Sequence, residues 1–405
     1  MRSPLLPVLA LLALAAAFGC GGGSSEPNTP NDPGGFPPGN DDPAPIIDPR
    51  DLSAPPAPAQ ITVPTGFQLS IFADGLSGPR HMTRRGNEVW VANRSAGNII
   101  VLRDLDGDGY AENKTTAASG LGSNHGIEYA PATGWFYTAN TTTVSRFRDD
   151  NNDRIADAPP AAIITGLPSG GHNTRTVRVD PVTGLLYVSI GSSCNNCIES
   201  NQYRASIWVF NPDGTNGRLF AGGMRNAVGM AFQPRFNKLW AVNNGHDNLG
   251  DFLPKEHMWK VEKGKFYGWP YAYTNNGSVV PDPTFGPANP DKVAMTTPAS
   301  WEFGAHTAPL GMTFWKSRSF GTARFGDAFV AFHGSWVPAI PVGYEVGLVR
   351  FNDAGQPTAF EVWVDNFRIG NNSPVARPVD VMQFGGALLI SCDTGNVIYR
   401  LDKVA

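Results

Sequence analysis

The sequence predicts an all-β protein, a six-bladed β-propeller with four antiparallel strands per blade and a ring closed by the N-terminal strand. Three observations predict it. Short apolar strands around Trp90, Tyr137, Tyr187, Trp240, Phe329 and Leu389 recur at spacings of 47, 50, 53, 89 and 60 residues, and such a period belongs to propeller blades. Gly and Pro number 46 and 35 among 405 residues, and charged residues make up only 16%, a mix that favours many short strands over long helices. Finally, FQLSIFADGL (67–76) has the form of a fourth strand but precedes the first unit, while the chain ends after the third strand of the sixth. Pairing the two would remove both open edges.

The N-terminus is an address. MRSPLLPVLALLALAAAFGC joins an early arginine to a short apolar run, small residues and a cysteine, the pattern of an export signal. Ala17-Phe18-Gly19-Cys20 resembles a bacterial lipobox with Cys20 as the lipid-bearing residue; the bulk of Phe18 leaves an unlipidated exported form as the alternative. Residues 21–60 are rich in Gly, Pro, Asn and Asp and read as a flexible tether. The expected layout is therefore a signal (1–20), a tether (21–60) and a propeller domain (61–405). The expected location is the periplasm or outer surface of a bacterium, with membrane contact through the lipid alone.

Within the propeller, each unit starts with an apolar first strand: HMTRR, GIEYA, TVRVDP, AVGMAF, LGMTF and PVDVMQF. Third strands follow as NIIVLRD, TVSRFRD, SIWVFN, HMWKVEK, EVGLVRFN and NVIYRLD, and fourth strands end as in TTAASGL, AIITGL and RLFAGGM. The long step from Trp240 to Phe329 predicts an insertion at about 253–303, a candidate wall for a binding site. Two loops, DLDGDGYAE (Asp104, Asp106, Asp108, Glu112) and DDNNDRIAD (Asp149, Asn151, Asp153, Asp157), have the oxygen spacing of calcium loops. Thr115 stands where the closing glutamate of the first would be, so a plain Asp/Gly turn competes with a structural calcium.

Export also decides the cysteine chemistry, because it places the thiols in an oxidising compartment. Cys194 and Cys197 form a C-x-x-C without a second pair, which argues against tetrahedral zinc. A loop-stiffening disulfide and two free thiols remain, and the compartment favours the disulfide. Cys392, in an apolar strand, reads as an inert buried thiol. A net charge of −4 leaves no footprint for nucleic acid.

In a propeller the first strands line the axis and their starting ends meet at one mouth. Those positions carry Arg80 and His81, His125, His172, Arg225 with Asn226, His306, and Arg377. Each position alone is an ordinary turn or core residue. All six units repeat the choice in a chain with seven histidines, and His333 in the second strand of blade five can join them. A ring of Arg and His suits a flat, multiply anionic ligand, whereas a metal hydrolase would need carboxylates there, and none stands at these starts.

The motifs SGGHNTRTVRVDPVTGLLYVSIG, AGGMRNAVGMAF, NNGHDNLGD, KFYGWPYAY, GAHTAPLGMTF and FVAFHGSW resemble the pyrroloquinoline-quinone-dependent glucose/sorbosone dehydrogenase family, from about residue 62 to the C-terminus. GSSCNNC and AHTAPLG resemble its sorbosone and pyranose dehydrogenase branch. The resemblance implies an exported propeller that oxidises an aldose or related sugar, with pyrroloquinoline quinone and Ca2+ as cofactors and an external cytochrome or quinone as electron acceptor. It implies that His172 is the general base, that Arg225, Asn226 and Arg377 bind the quinone, and that His333 stands where glucose dehydrogenases have a cofactor-binding lysine. Arg80 and His306, from the same ring, join the expected cofactor contacts. Gly245 and His246 match the backbone carbonyls that hold calcium. Two positions depart from the glucose enzymes: Ser192 replaces an aspartate behind the base, and Val379 replaces a second arginine. A cofactor-free propeller acting as a surface interaction module is the alternative reading.

Overall fold

The computed structural model describes residues 52–404 except 337, 338 and 340. Cys20, the signal and the tether as far as residue 51 lie outside the described residues. Strand β1 (Phe67–Ala73) is followed by six sets of strands. Blade one is β2 (Pro79–Arg85), β3 (Glu88–Asn93), β4 (Asn98–Arg103) and β5 (Asn113–Ala118). Blade two is β6 (Gly126–Ala130), β7 (Trp135–Ala139), β8 (Val144–Phe147) and β9 (Ala161–Ile164). Blade three is β10 (Arg175–Val179), β11 (Leu186–Ile190), β12 (Ser206–Phe210) and β13 (Arg218–Gly222). Blade four takes β14 (Gly229–Gln233), β15 (Lys238–Asn243) and β16 (Glu256–Lys260). A hairpin of β17 (Ala272–Asn275) and β18 (Ser278–Pro281) and a short helix α1 (Pro290–Ala294) intervene before its fourth strand, β19 (Trp301–Phe303). Blade five is β20 (Pro309–Phe314), β21 (Ala328–Phe332), β22 (Glu345–Phe351) and β23 (Pro357–Val364). Blade six is β24 (Arg377–Phe384), β25 (Ala387–Thr394) and β26 (Val397–Lys403), and its outer strand is β1. Phe67 pairs with Lys403 and Ala73 with Ile398, so the ring closes as the sequence predicts.

Packing follows from this order. Second strands such as β3, β11 and β21 are buried along their whole length, because each blade is covered on both faces and reads as a nearly continuous apolar run. Six apolar clusters fill the six gaps between neighbouring blades. Trp90 stacks on Phe136 across the first gap, and Trp240 meets Phe314 and Phe351 across the fourth. At the axis the first strands touch backbone to backbone. A Cβ on Gly229 would lie 2.2 Å from the Leu310 carbonyl oxygen, and one on Gly311 would lie 2.5 Å from Asp380 Cα. Only glycine permits that approach.

Two boundaries need correction. The insertion is narrower than 253–303, because β16 and β19 at its ends are blade strands and the added chain is 261–300. The tether also ends earlier than residue 60. Ser53 and Ala54 donate their N–H groups to Asp108 O, Ala57 donates to Leu69 O, and Ala54 is buried, so the chain from 52 onward is laid against blades six and one. Among the described residues no helix is long and apolar enough to cross a membrane.

Candidate functional site

Antiparallel pairing brings the end of each second strand to the mouth where the first strand starts, as in Pro79↔Asn93, Arg175↔Ile190 and Arg377↔Thr394. The mouth is thus lined twice. The second set of positions is Arg94, Asn140, Ser192, Asn244, His333 and Asp393.

His172 sits on the bend before β10. Gly170 and Gly171 have φ of +80° and +58°, and a Cβ on Gly171 would lie 2.4 Å from Ser193 O, so the bend demands glycine. The His172 N–H donates to Ser192 O at 2.9 Å. Its ring Nδ1 lies 2.9 Å from Ser192 Oγ and 3.2 Å from Ser192 O. Two buried guanidiniums clamp the loop by its carbonyls: Arg175 donates to His172 O (2.9 Å) and Pro168 O, and Arg204 to Gly170 O (3.0 Å). Burial, then the positive charge of Arg225, lowers the His172 pKa to about 4, so the imidazole is neutral at physiological pH.

On blade four, Arg225 donates to the backbone and side-chain oxygens of Asn195 at 2.8 and 2.7 Å and stands 3.7 Å from Asp247. Asn226 bonds Asn244 at 3.3 Å. His306 lies 2.8 Å from Gly250 O and 3.5 Å from Asp247. Beside them Gly245 N–H donates to Glu256 at 2.5 Å, and His246 stands 3.0 Å from the buried Asp282. Burial pushes Glu256 up to about 8. On the other side Asp393 joins two predicted residues, Arg80 at 2.5 Å and His333 at 3.0 Å, and these contacts hold its carboxyl well below the usual range despite burial. Arg377 donates to His333 O and Gly334 O at 2.9 and 2.7 Å and lies over Tyr344.

The structure thus gathers His172, Arg225, Asn226, His306, Gly245 and His246 on one side and Arg80, His333 and Arg377 on the other. It does not keep His81 and His125 in the ring. Both are fully buried along the axis, their rings 4.3 Å apart, with pKa values driven well down by burial. Neither nitrogen of His81, nor His125 Nε2, nor Asp380 Oδ1 has a protein partner, so this polar column calls for ordered water. At one level on the other side Val228, Leu310 and Val379 close the axis with apolar side chains.

The expectation of a mouth without carboxylates is also corrected. Asp247, Glu256 and Asp393 line it, with Asp380 buried and Glu128 half-buried on the first strands below. They lie on second and third strands, on loops, or deeper on first strands, so a reading of first-strand starts misses them. Arg94 was missed for the same reason. It bonds Asn173 Oδ1 at 3.1 Å, while its Nη1 is buried and unpartnered. The aspartate loops at 104–108 and 149–157 stand at the opposite end of the blades. Asp104, Asp106 and Asp108 gather within 4.8 Å, whereas Asp149 is spent on Arg85 and on the N–H groups of Asp153 and Arg154. Cys194 is bonded to Cys197, and Cys392 is free and buried.

The TrAA12-like family model matches residues 61–401. The chain belongs to the TrAA12-like family. An uncharacterized Borreliella burgdorferi protein is 27% identical over 355 residues, covering 84% of this chain and 90% of the relative. The pyrroloquinoline quinone-dependent pyranose dehydrogenase of Coprinopsis cinerea is 26% identical and covers 87% of this chain, and the match spans only 56% of that longer protein. Among solved structures, the quinone domain of the Coprinopsis enzyme superposes with a TM-score of 0.75 at 22% identity, covering 86% of this chain and 98% of that domain. A Trichoderma reesei enzyme of carbohydrate-active family AA12 gives 0.76 at 20%, covering 87% and 98%. These superpositions share the propeller.

Proposed function

We propose that this TrAA12-like protein is a pyrroloquinoline-quinone- and Ca2+-dependent dehydrogenase that oxidises an aldose or related sugar at its anomeric or aldehyde carbon. The observation that carries the proposal is a neutral imidazole, His172, set at a mouth whose guanidiniums are only partly neutralised. Arg80 and Arg225 have carboxylate neighbours, but the hydrogen bonds that Arg377 makes go to carbonyl oxygens, and Arg94 has a buried N–H without a partner. Buried donors left open in this way cost stability unless a ligand completes them, and an anionic, planar ligand fits both the charge and the stacking habit of arginine. At the other side the Gly245–His246 segment runs into Asp247, its Gly245 N–H bonds Glu256 and its His246 ring meets Asp282, a stretch rich in the hard oxygens that calcium takes, to which the Gly245 and His246 carbonyls would add theirs. The relatives named for quinone dependence support the same reading.

When bound, pyrroloquinoline quinone supplies the hydride acceptor and Ca2+ the Lewis acid that makes it more electrophilic. The chain's own work is to hold and to move a proton. Arg94, Arg225 and Arg377 would hold the carboxylates of the quinone, with Asn226, His306, His333 and Arg80 completing the wall. His172 takes the proton of the sugar hydroxyl at Nε2 as the adjacent C–H leaves as hydride, so the carbon becomes a carbonyl rather than a stranded cation. Electrons then pass to an external cytochrome or quinone, in keeping with an exported, lipid-anchored periplasmic or surface enzyme.

Arg377→Ala and Arg94→Ala are each expected to weaken quinone binding by about 2–4 kcal/mol, read by fluorescence titration of apo-protein. Parent-like titration of both variants would leave the ring structural and favour a cofactor-free interaction module. The pH dependence of turnover gives a second check. The base is the neutral imidazole, so activity is lost as pH falls through its pKa. Because burial and Arg225 lower that pKa toward 4, the acid limb of kcat should lie well below the ordinary imidazole value of about 6.5. A limb at the ordinary value would place the base in open solvent.

A further inference from the structure

We propose that Ser192, held by the Cys194–Cys197 loop, is a positioning residue that fixes His172 in its Nδ1–H tautomer. The inference rests on the reading of His172 as the base. His172 Nδ1 has two neighbours, Ser192 Oγ at 2.9 Å and Ser192 O at 3.2 Å. The carbonyl can only accept. A hydroxyl can do either, but its one proton is committed elsewhere, since Ser192 Oγ donates to Cys194 O at 2.6 Å. Both neighbours of Nδ1 are therefore acceptors, the proton must sit on Nδ1, and Nε2 keeps the lone pair that a base needs. Without the Cys194 carbonyl the hydroxyl would be free to donate to Nδ1, and the opposite tautomer would put a proton where the substrate's has to go.

That carbonyl is held from several sides. The disulfide closes the turn directly after Cys194. The Ser193 N–H and hydroxyl donate to Glu199 at 2.5 and 2.8 Å. Asn195 accepts from Arg225 and from the Asp247 N–H. Arg204 donates to Gly191 O at 3.3 Å and Ser192 O at 3.4 Å. The charges that face the ring are Arg225, Arg204 and Arg175, and no carboxylate bonds it among the described residues. A hydroxyl in this place orients the imidazole without raising its affinity for a proton, unlike the aspartate that glucose dehydrogenases are expected to carry here.

The test reads the tautomer directly, in apo-protein labelled with 15N-histidine, by long-range proton–nitrogen correlation. His172→Asn assigns the signal by removing it. The parent is expected to show a protonated Nδ1 and a bare Nε2. Ser192→Ala should mix in the other tautomer, Ser192→Thr should restore the parent pattern, and Ser192→Cys, a weaker partner of similar size, gives the same readout if alanine disturbs folding. In the loaded enzyme Ser192→Ala should lower kcat roughly 10²-fold with KM little changed. That is less than the roughly 10⁴-fold cost of a wholly wrong tautomer, because Ser192 O still accepts. A parent signal with Nε2 protonated, or a Ser192→Ala signal unchanged from the parent, would overturn the inference. If the tautomer responds as expected while no sugar is oxidised, the positioning stands and the dehydrogenase reading fails, so the two failures are told apart.

Discussion

His172→Asn is expected to lower turnover by roughly 10²–10⁴ while leaving any binding of quinone and calcium nearly as in the parent. Asparagine keeps a donor toward the Ser192 oxygens but has no nitrogen lone pair to take a proton. Its site is tolerant of the change in one respect: the loop is held by its backbone, through Arg175, Arg204 and the His172 N–H, and not by the imidazole. The fold should therefore survive, and a thermal melt beside the rate measurement checks it. Unchanged turnover would remove His172 from the chemistry. His81 and His125 could not take its place, because both are fully buried in the axis; His306 has contacts on both ring nitrogens, and His246 and His333 each have a ring nitrogen on an aspartate.

Deleting residues 62–76 has the second large effect. It removes β1, whose register with β26 runs from Phe67↔Lys403 to Ala73↔Ile398, and with it the buried Leu69, Phe72, Ala73 and Leu76. Burial of the larger side chains contributes about 1.5–3 kcal/mol each, so the loss is on the order of 5–8 kcal/mol, a large part of the stability of an ordinary domain. It also opens the edge of β26 to other chains. The expected product is aggregated or unfolded at temperatures where the parent is native, by light scattering and circular dichroism. Deleting 21–50 instead should change little, because the first described backbone anchors are at Ser53 and Ala54. A soluble 77–405 chain with parental stability would contradict the closure.

What was legible in the sequence was what a period can carry. Repeated apolar strands gave the blade number, and the odd strand at 67–76 gave the closure, because an unpaired fourth strand has one place to go. That His172, Arg225 and Arg377 stand at one mouth was legible because they repeat at one position of each unit. Asp393 and Arg94 were not, although the same reasoning reaches them: in an antiparallel pair the second strand ends where the first begins, so ISCD and VANR point to the same mouth. Glu256 is further from reach. It opens a third strand, and only folding of the 244–255 loop brings its carboxylate to the Gly245 N–H. His81 and His125 show the opposite error. They occupy the right sequence position but point into the axis, where burial keeps them neutral. The tether is shorter than its Pro- and Gly-rich composition suggests, because Pro55 and Ala57 meet β1 by backbone hydrogen bonds.

A mouth that takes a quinone and uses it on a sugar must show both properties in one preparation. The most direct measurement is reconstitution: purified apo-protein is mixed with pyrroloquinoline quinone and Ca2+, and reduction of an electron-accepting dye is followed across a panel of aldoses and pyranoses, with His172→Asn as the control. The account predicts saturable quinone binding, dye reduction that requires both the sugar and calcium, and loss of that reduction in the control. Saturable binding with no sugar-dependent reduction, or no binding at all, would contradict it.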